Sequence, residues 1–286
     1  MTFSIVIPSY NGSQFITQAI DSAINQTRPA DEIIVSDDNS SDETLDICKK
    51  YGNKIKLFKN IEGPSGFVNG WNNSIAHASS DFISLLHQDD ILDPTFLEEA
   101  EKALNEHPHV KHLFSVCKYI DGKNRIIGTS YQNNTPNNVI FYSGKEYMES
   151  FRDIGNPHIH RCPGVITHKS IFERCKYRSE AGHIADNDFF FRVGQFTDVI
   201  GLLSPLSSYR IHELSETGHL KNKILVKRLL KDYHFQMKHL SENIFADKPH
   251  YNYFRKNKNK YLKNLLGYAL KEMNLKDVLY AIRFLL

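Results

Sequence analysis

Apolar runs in the first third of the chain stop, one after another, at polar or acidic clusters, with helix-patterned stretches between them. Phe3–Pro8 runs into Ser9-Tyr10-Asn11, Glu32–Ser36 into Asp37-Asp38-Asn39-Ser40, and Asp81–Leu86 into His87-Gln88-Asp89-Asp90. Phe15, Ile16, Ala19, Ile20, Ala23 and Ile24 recur at helical spacing after the turn Asn11-Gly12-Ser13. Leu45, Ile47, Cys48 and Tyr51 mark a second helix, and Asp37–Ser40 is a stretch able to end a strand and cap it. Such alternation predicts an α/β fold: a mixed sheet, mainly parallel in this part, with helices on both faces. In open sheets of this kind ligands bind beyond the carboxyl ends of the strands, where these clusters fall.

Ile55–Phe58 continues the pattern as a strand, Phe67–Ala78 as a helix, Thr95–Asn105 as a helix and Lys111–Tyr119 as a strand. Asp121-Gly122 then suggests a hairpin, and antiparallel strands with longer loops are expected beyond it. Ile184–Phe196 reads as a helix with an acidic first turn, followed by strands at Val199–Leu203 and Leu206–Arg210. After Thr217 the pattern turns helical, with Leu262, Leu265, Leu266, Ala269, Leu270 and Met273 in one stripe.

Charge divides the chain at the same place. Residues 217–286 carry 15 Lys+Arg against 5 Asp+Glu, a net of +10, which leaves −8 for residues 1–216. We therefore expect a domain at 1–216, with halves 1–105 and 106–216, and a basic helical C-terminal region at 217–286. Lys227, Arg228 and Lys231, then Arg255, Lys256, Lys258, Lys260 and Lys263, accompany apolar positions. Such helices can lie on an anionic membrane, pair with a second copy, or pack on the domain and expose a basic face. Nucleic acid is not expected as a partner, because no recognised binding motif accompanies the basic residues. Cys48, Cys117, Cys162 and Cys175 form no CxxC pair and are expected to be reduced structural thiols. The opening run lacks the character of a secretory leader, and no segment has the roughly 20 apolar residues of a membrane span, so a cytoplasmic protein is expected, at most peripheral on the inner face of the membrane.

Each acidic cluster has a chemical and a plain structural meaning. Asp37 and Asp38 could accept hydrogen bonds from a nucleobase or ribose, or simply shape a turn. Asp89 and Asp90 could hold one hard divalent cation together with diphosphate oxygens, or form a solvated turn. Asp186 could take the proton of an attacking hydroxyl, while acids in a first helical turn also suit the helix dipole.

The clusters gain meaning from their order. SIVIPSYN at 4–11, EIIVSDDNSSDET at 32–44, GPSGFVNGWN at 63–72, DFISLLHQDD at 81–90 and ADNDFFFR at 185–192 together resemble glycosyltransferase family 2 over roughly residues 3–215. The resemblance implies a GT-A fold, a nucleoside-diphosphate sugar donor, and transfer with inversion to a hydroxyl of a glycan or lipid-linked saccharide, as in surface polysaccharide biosynthesis. It places Pro8, Ser9, Tyr10 and Asn11 in the loop lining the nucleotide pocket, and Asp38, with Asp37 beside it, at the base. Asn69 and Asn72 fall near the nucleotide, where many members carry an Arg. Asp89 and Asp90 match the end of the metal motif for Mn2+ or Mg2+, Asp89 also bordering the nucleotide, while His87 replaces the motif's first Asp. Asp186 matches the catalytic base, continued by Asp188 and Arg192, and its carboxylate is expected to have polar neighbours that keep it ionised. His212, in Tyr209-Arg210-Ile211-His212, matches a histidine near the diphosphate or metal. His158 and His160 could line the acceptor cleft.

Two other readings compete. A nucleotidyltransferase would share the sheet but usually carries a basic, Gly-rich phosphate loop, and PSYNGSQF has no Lys or Arg. A catalytically inactive homologue would keep the nucleotide pocket, and the joint presence of Asp89, Asp90 and Asp186 argues against it.

Overall fold

The computed structural model describes residues 1–133, 137–152, 161–213, 215, 223–244 and 246–285. The 216/217 boundary, His158 and His160 lie outside the described residues.

The first βα units run β1 (Phe3–Ser9), α1 (Ile16–Ile24), β2 (Glu32–Asp37), α2 (Thr44–Lys49), β3 (Lys56–Lys59), α3 (Phe67–Ala76) and β4 (Phe82–Leu85). The short β5 (Ile91–Leu92) and α4 (Phe96–Glu106) lead into β6 (His112–Asp121), β7 (Ile126–Thr129), β8 (Val139–Tyr142) and α5 (Gly144–Glu149). Then come β9 (Val165–His168), α6 (Lys169–Phe172), α7 (Ala185–Val193) and β10 (Val199–Ile211), and finally α8 (Lys223–Lys238), α9 (Lys248–Lys271) and α10 (Leu275–Ile282).

The strands form one mixed sheet in the order β3-β2-β1-β4-β9-β6-β10-β5, with β7 on β6 and β8 on β10. β3, β2, β1 and β4 are parallel, β9 is antiparallel to both β4 and β6, and β10 is parallel to β6. The carboxyl ends of β1, β2, β4 and β10 therefore point the same way, and the chemistry-bearing clusters follow those ends.

Strand side chains alternate between faces, so β1 feeds two cores. Phe3, Ile5 and Ile7 join the α1 and α4 side with Ile16, Ile20, Phe96 and Leu97, while Val6 joins Val68, Phe114, Phe189 and Phe191 on the other. That second core also takes in Leu240 and Phe254 from the C-terminal region. The basic helices thus pack on the sheet-bearing part of the chain, and exposed Arg255, Lys256, Lys260 and Lys263 face outward. All four cysteines are buried and unpaired with one another.

Several expectations differ in detail. Asp37–Ser40 does not cap α2: Glu43 occupies that N-cap without a side-chain bond, because the Asp37 and Ser40 side chains are engaged with each other. The two strands expected at Val199–Leu203 and Leu206–Arg210 are one, since exposed Pro205 sits at a register shift that the ladder absorbs. The apolar stripe of α9 holds through Leu262, Leu265 and Ala269, but Leu270 is 74% exposed and Met273, beyond the helix end at Lys271, 93% exposed.

Candidate active site

The loop after β1 is held from two directions. Asn11 has φ 47°, a left-handed conformation that Asn tolerates; its N–H donates to Ser40 Oγ (2.9 Å), and its side-chain oxygen accepts from Ser41 N (2.9 Å). Gln88 clamps Tyr10 through both ends of its amide, accepting from the N–H at 2.9 Å and donating to the carbonyl at 3.0 Å. A Cβ on Gly12 would lie 2.1 Å from Gln88 Oε1, so glycine is what lets the clamp close. Tyr10 itself is 47% exposed, its ring available to a planar ligand. Pro8 and Ser9 belong to β1, in register with Ser36 and Asp37 of β2.

Asp37 and Asp38 separate into two roles. Buried Asp37 accepts from Ser9 Oγ (3.1 Å), Ser40 N (2.8 Å) and Ser40 Oγ (2.5 Å), which locks the two strand ends together. Asp38 turns toward the loop before α3, accepting from Asn60 Nδ2 (2.8 Å) and Ser65 N (2.7 Å). Asn69, exposed on α3, donates to Ser65 O at 3.0 Å. Asn72 spends both ends of its amide on the Tyr177 backbone, donating to the carbonyl at 2.9 Å and accepting from the N–H at 3.2 Å. It tethers α3 to the segment before α7.

The acidic cluster after β4 gathers His87, Asp89 and Asp90, whose ligand atoms lie within 4.8 Å of one another. Their donor set suits a divalent cation. His87 Nε2 and Asp90 Oδ2 are buried with no hydrogen-bond partner among the described residues, a state that a bound cation would relieve. Burial and then the Asp89 charge push the Asp90 carboxyl well above the usual carboxylate range. Burial acts on Asp89 in the same sense but is outweighed there by the His212 hydrogen bond and the His87 field, which hold Asp89 low. Asp89 is thus the ionised member, and His212 Nε2, 3.0 Å from Asp89 Oδ2, is the donor in that pair. Burial lowers His87 below the usual histidine range. Its ring stacks on Trp71 at 4.9 Å, while Phe15 packs 4.8 Å from the His212 ring.

Arg210 ties this cluster to the sheet, and the sequence reading passed over it. Its backbone N–H donates to Asp90 Oδ1 (2.8 Å), and its guanidinium donates to Asp89 O (2.7 Å), Asp121 O (3.1 Å), Asn124 Oδ1 (2.5 Å) and Gln18 Oε1 (2.9 Å). The guanidinium carbon also stands 4.5 Å from the Phe15 ring centroid. A lone arginine on a strand of buried apolar and hydroxyl residues was the available signal. His87 likewise joins the cluster through its ring nitrogens, whereas His212 reaches it through Asp89.

Asp186 is the second residue of α7, and its Oδ1 accepts from Asn187 N at 2.7 Å. The residue is partly exposed, yet protein atoms crowd its carboxyl, and that desolvation raises its pKa. Arg161 and His87 favour the charge without overcoming burial, so the surroundings are less polar than the sequence suggested. Asp188 is buried and pairs with Arg192 at 2.5 Å. Arg161, whose guanidinium stands 5.8 Å from the Tyr119 ring centroid, was also missed. No sequence motif marks it.

Comparisons with known proteins meet this geometry. The model of "Glycosyl transferase family 2" matches residues 4–175. A glycosyltransferase of Rickettsia typhi, not further characterised, is 27% identical over 230 residues, covering 77% of this chain and 67% of the relative. The poly(ribitol-phosphate) beta-N-acetylglucosaminyltransferase TarS of Staphylococcus aureus is 32% identical over 127 residues, covering 43% of this chain and 22% of its own. The chain spans 65% of a Haemophilus influenzae relative and 35% of one from Rickettsia felis, so several relatives are considerably longer. Crystal structures of S. aureus TarS 1-349 with UDP (TM-score 0.59, 17% identity, 92% of both chains) and with UDP-GlcNAc (TM-score 0.55, 16% identity, 92% of this chain, 81% of that one) share the fold. With a GT-A sheet and a family model that covers more than half its length, this chain belongs to glycosyltransferase family 2.

Proposed function

We propose that this glycosyltransferase moves a sugar from a nucleoside-diphosphate sugar, with uridine as the base, to a hydroxyl of a glycan or lipid-linked saccharide, inverting the anomeric carbon. The observation that carries the proposal is the grouping of His87, Asp89 and Asp90 beyond β4, close enough to Asp186 for the His87 field to act on it. Uridine is favoured because the structurally similar TarS has been crystallised with UDP and UDP-GlcNAc.

The nucleoside lies beside the loop of Pro8, Ser9, Tyr10 and Asn11, with Asp38 facing its polar edge and Tyr10 its ring. Asp89 and Asp90, with His87, would hold one Mn2+ or Mg2+, which supplies Lewis-acid neutralisation of the diphosphate. His212 keeps Asp89 oriented through the 3.0 Å contact. Asp186 accepts the proton of the acceptor hydroxyl as its oxygen bonds to C1 from the face opposite the diphosphate. The C1–O bond breaks with its electron pair going to the diphosphate, so no covalent sugar–enzyme intermediate is required. A lipid-linked acceptor at the cytoplasmic face of a membrane, as in surface polysaccharide assembly, fits the cationic exterior of α9. No helix among the described residues is long and apolar enough to cross a membrane.

The test is calorimetric titration of UDP, GDP and dTDP with and without Mn2+, followed by transfer assays from UDP-sugars for wild type and Asp186→Asn. Metal-dependent UDP binding and transfer abolished by the substitution are expected. UDP binding without transfer from any UDP-sugar would favour the inactive homologue.

A further inference from the structure

We propose that Asp232, on α8, is a positioning residue for the turn that carries Asp186, so that the C-terminal helices complete the active site as well as pack against it. The inference rests on Asp186 being the base.

Asp186 accepts a hydrogen bond from the adjacent Asn187 N–H, so the aim of its carboxylate follows the backbone around it. That backbone is anchored on both sides by one face of α8. Asp232 is buried, and its Oδ2 accepts from the His183 N–H at 2.8 Å and lies 3.4 Å from His183 Nδ1. One helical turn along, Gln236 Nε2 donates to Asp188 Oδ1 at 3.0 Å. Leu225 and Leu229, from the preceding turns of the same helix, pack on Ile184. His183 and Ile184 precede Asp186 and Asp188 follows it, so attachment points from α8 bracket the base.

The turn is also shaped to receive Asp232. Gly182 adopts φ 58°, ψ −125°, a conformation open to glycine and costly for other residues. A Cβ there would stand 2.4 Å from Asp232 Oδ1 and 2.7 Å from its Cγ. The missing side chain on Gly182 makes room for the carboxylate that holds the next residue. Asp232 sits 46 positions after Asp186 in the chain, so no local motif discloses the link.

A displacement of a reacting group by about 1 Å can cost about 100-fold in rate without disturbing ligand binding elsewhere. The experiment uses the full chain with Mn2+ and UDP-GlcNAc, following UDP release with water as acceptor, UDP affinity by calorimetry, and amide hydrogen exchange over residues 182–188. Asp232→Ala is expected to lower kcat about 10- to 100-fold, leave UDP affinity within about twofold, and speed exchange in that segment while β1 and β4 keep their protection. Asp232→Asn retains an oxygen for the His183 N–H and is expected to recover most of kcat. Wild-type kcat and unchanged exchange in Asp232→Ala would overturn the proposal, as would kcat and UDP affinity falling together. If Asp232→Ala fails to fold, Gln236→Ala takes its place, with a smaller loss of kcat and local exchange confined to the same segment; its absence has the same overturning force. If the wild type releases no UDP, the exchange result decides. Asp186→Asn run alongside separates the two ideas: full activity there removes the base and this inference with it, whereas an inactive Asp186→Asn beside an unimpaired Asp232→Ala removes the positioning role alone.

Discussion

The main-chain N–H of Arg210 donates to Asp90 Oδ1 at 2.8 Å, which places the end of β10 directly behind the acidic cluster of β4. The guanidinium of the same residue then holds the Asp89 carbonyl, so one arginine fixes both neighbouring acids. Arg210→Ala leaves part-buried acceptors at Asp89, Asp121, Asn124 and Gln18 without their donor. A loss of about 3 kcal/mol in urea-unfolding free energy is expected, with weaker metal-dependent UDP binding.

Asp90→Asn separates stability from ligand binding. Burial and the Asp89 charge favour the protonated Asp90, and asparagine is nearly isosteric with that neutral form. Its oxygen can still accept from Arg210 N. The melting temperature is expected to stay within a few degrees of wild type, while calorimetry shows Mn2+-dependent UDP binding lost.

Asp186→Asn is expected to lower kcat about 100- to 10,000-fold, the usual range for a general base. It is also expected to raise the melting temperature, because desolvation makes the native carboxylate unfavourable and the substitution removes that charge. The sign follows from linkage: with the folded pKa raised, the contribution of Asp186 to stability is fully present below the unfolded pKa of about 3.9 and is lost as pH rises through the folded value. The acid limb of kcat in wild type should therefore lie above the ordinary carboxylate range, since the base must be ionised. A limb at or below about 3.9 in a pH–rate profile would contradict this.

Asn69 and Asn72, three residues apart on α3, should respond differently. Asn72→Ala removes both hydrogen bonds to the Tyr177 backbone and is expected to cost about 2 kcal/mol on thermal or urea unfolding. Exposed Asn69→Ala should stay within about 0.5 kcal/mol on the same unfolding and show its effect as weaker UDP binding by calorimetry.

The βα units were legible because two short-range signals, apolar runs and the polar clusters that end them, coincide there. The hairpin after Asp121 was legible for the same reason, its turn chemistry being local: β6 and β7 pair antiparallel across it. What escaped depends on contacts between distant parts of the chain. Arg210 meets Asp89 and Asp90 some 120 positions away, and nothing in YRIH announces that its guanidinium points at carbonyls of another strand end. Asn72 matched a nucleotide-proximal stretch, yet its amide is taken up by a backbone 105 residues on. The strands expected at Val199–Leu203 and Leu206–Arg210 join through Pro205, and the bulge that accommodates it is a property of the paired sheet. The raised pKa of Asp186 follows from its burial in the folded chain, which no composition of the ADND segment conveys.

Phe254 and Leu240 share a core with Phe191, Phe114 and Val6. Charge marks the C-terminal helices as a separate region, and they hold a small core of their own around Leu230 and Leu265, but Leu225, Leu229, Leu240 and Phe254 tie them to the rest of the chain. The chain should therefore unfold in a single cooperative transition, with no step at which the basic helices melt off an intact sheet. A cut in the connection between β10 and α8 would sever the covalent link while leaving the two pieces held by the same buried side chains, and a truncation ahead of α8 would expose Phe191 and Ile184 to water. Engineering a smaller catalytic unit from this protein means redesigning that face, not choosing a boundary.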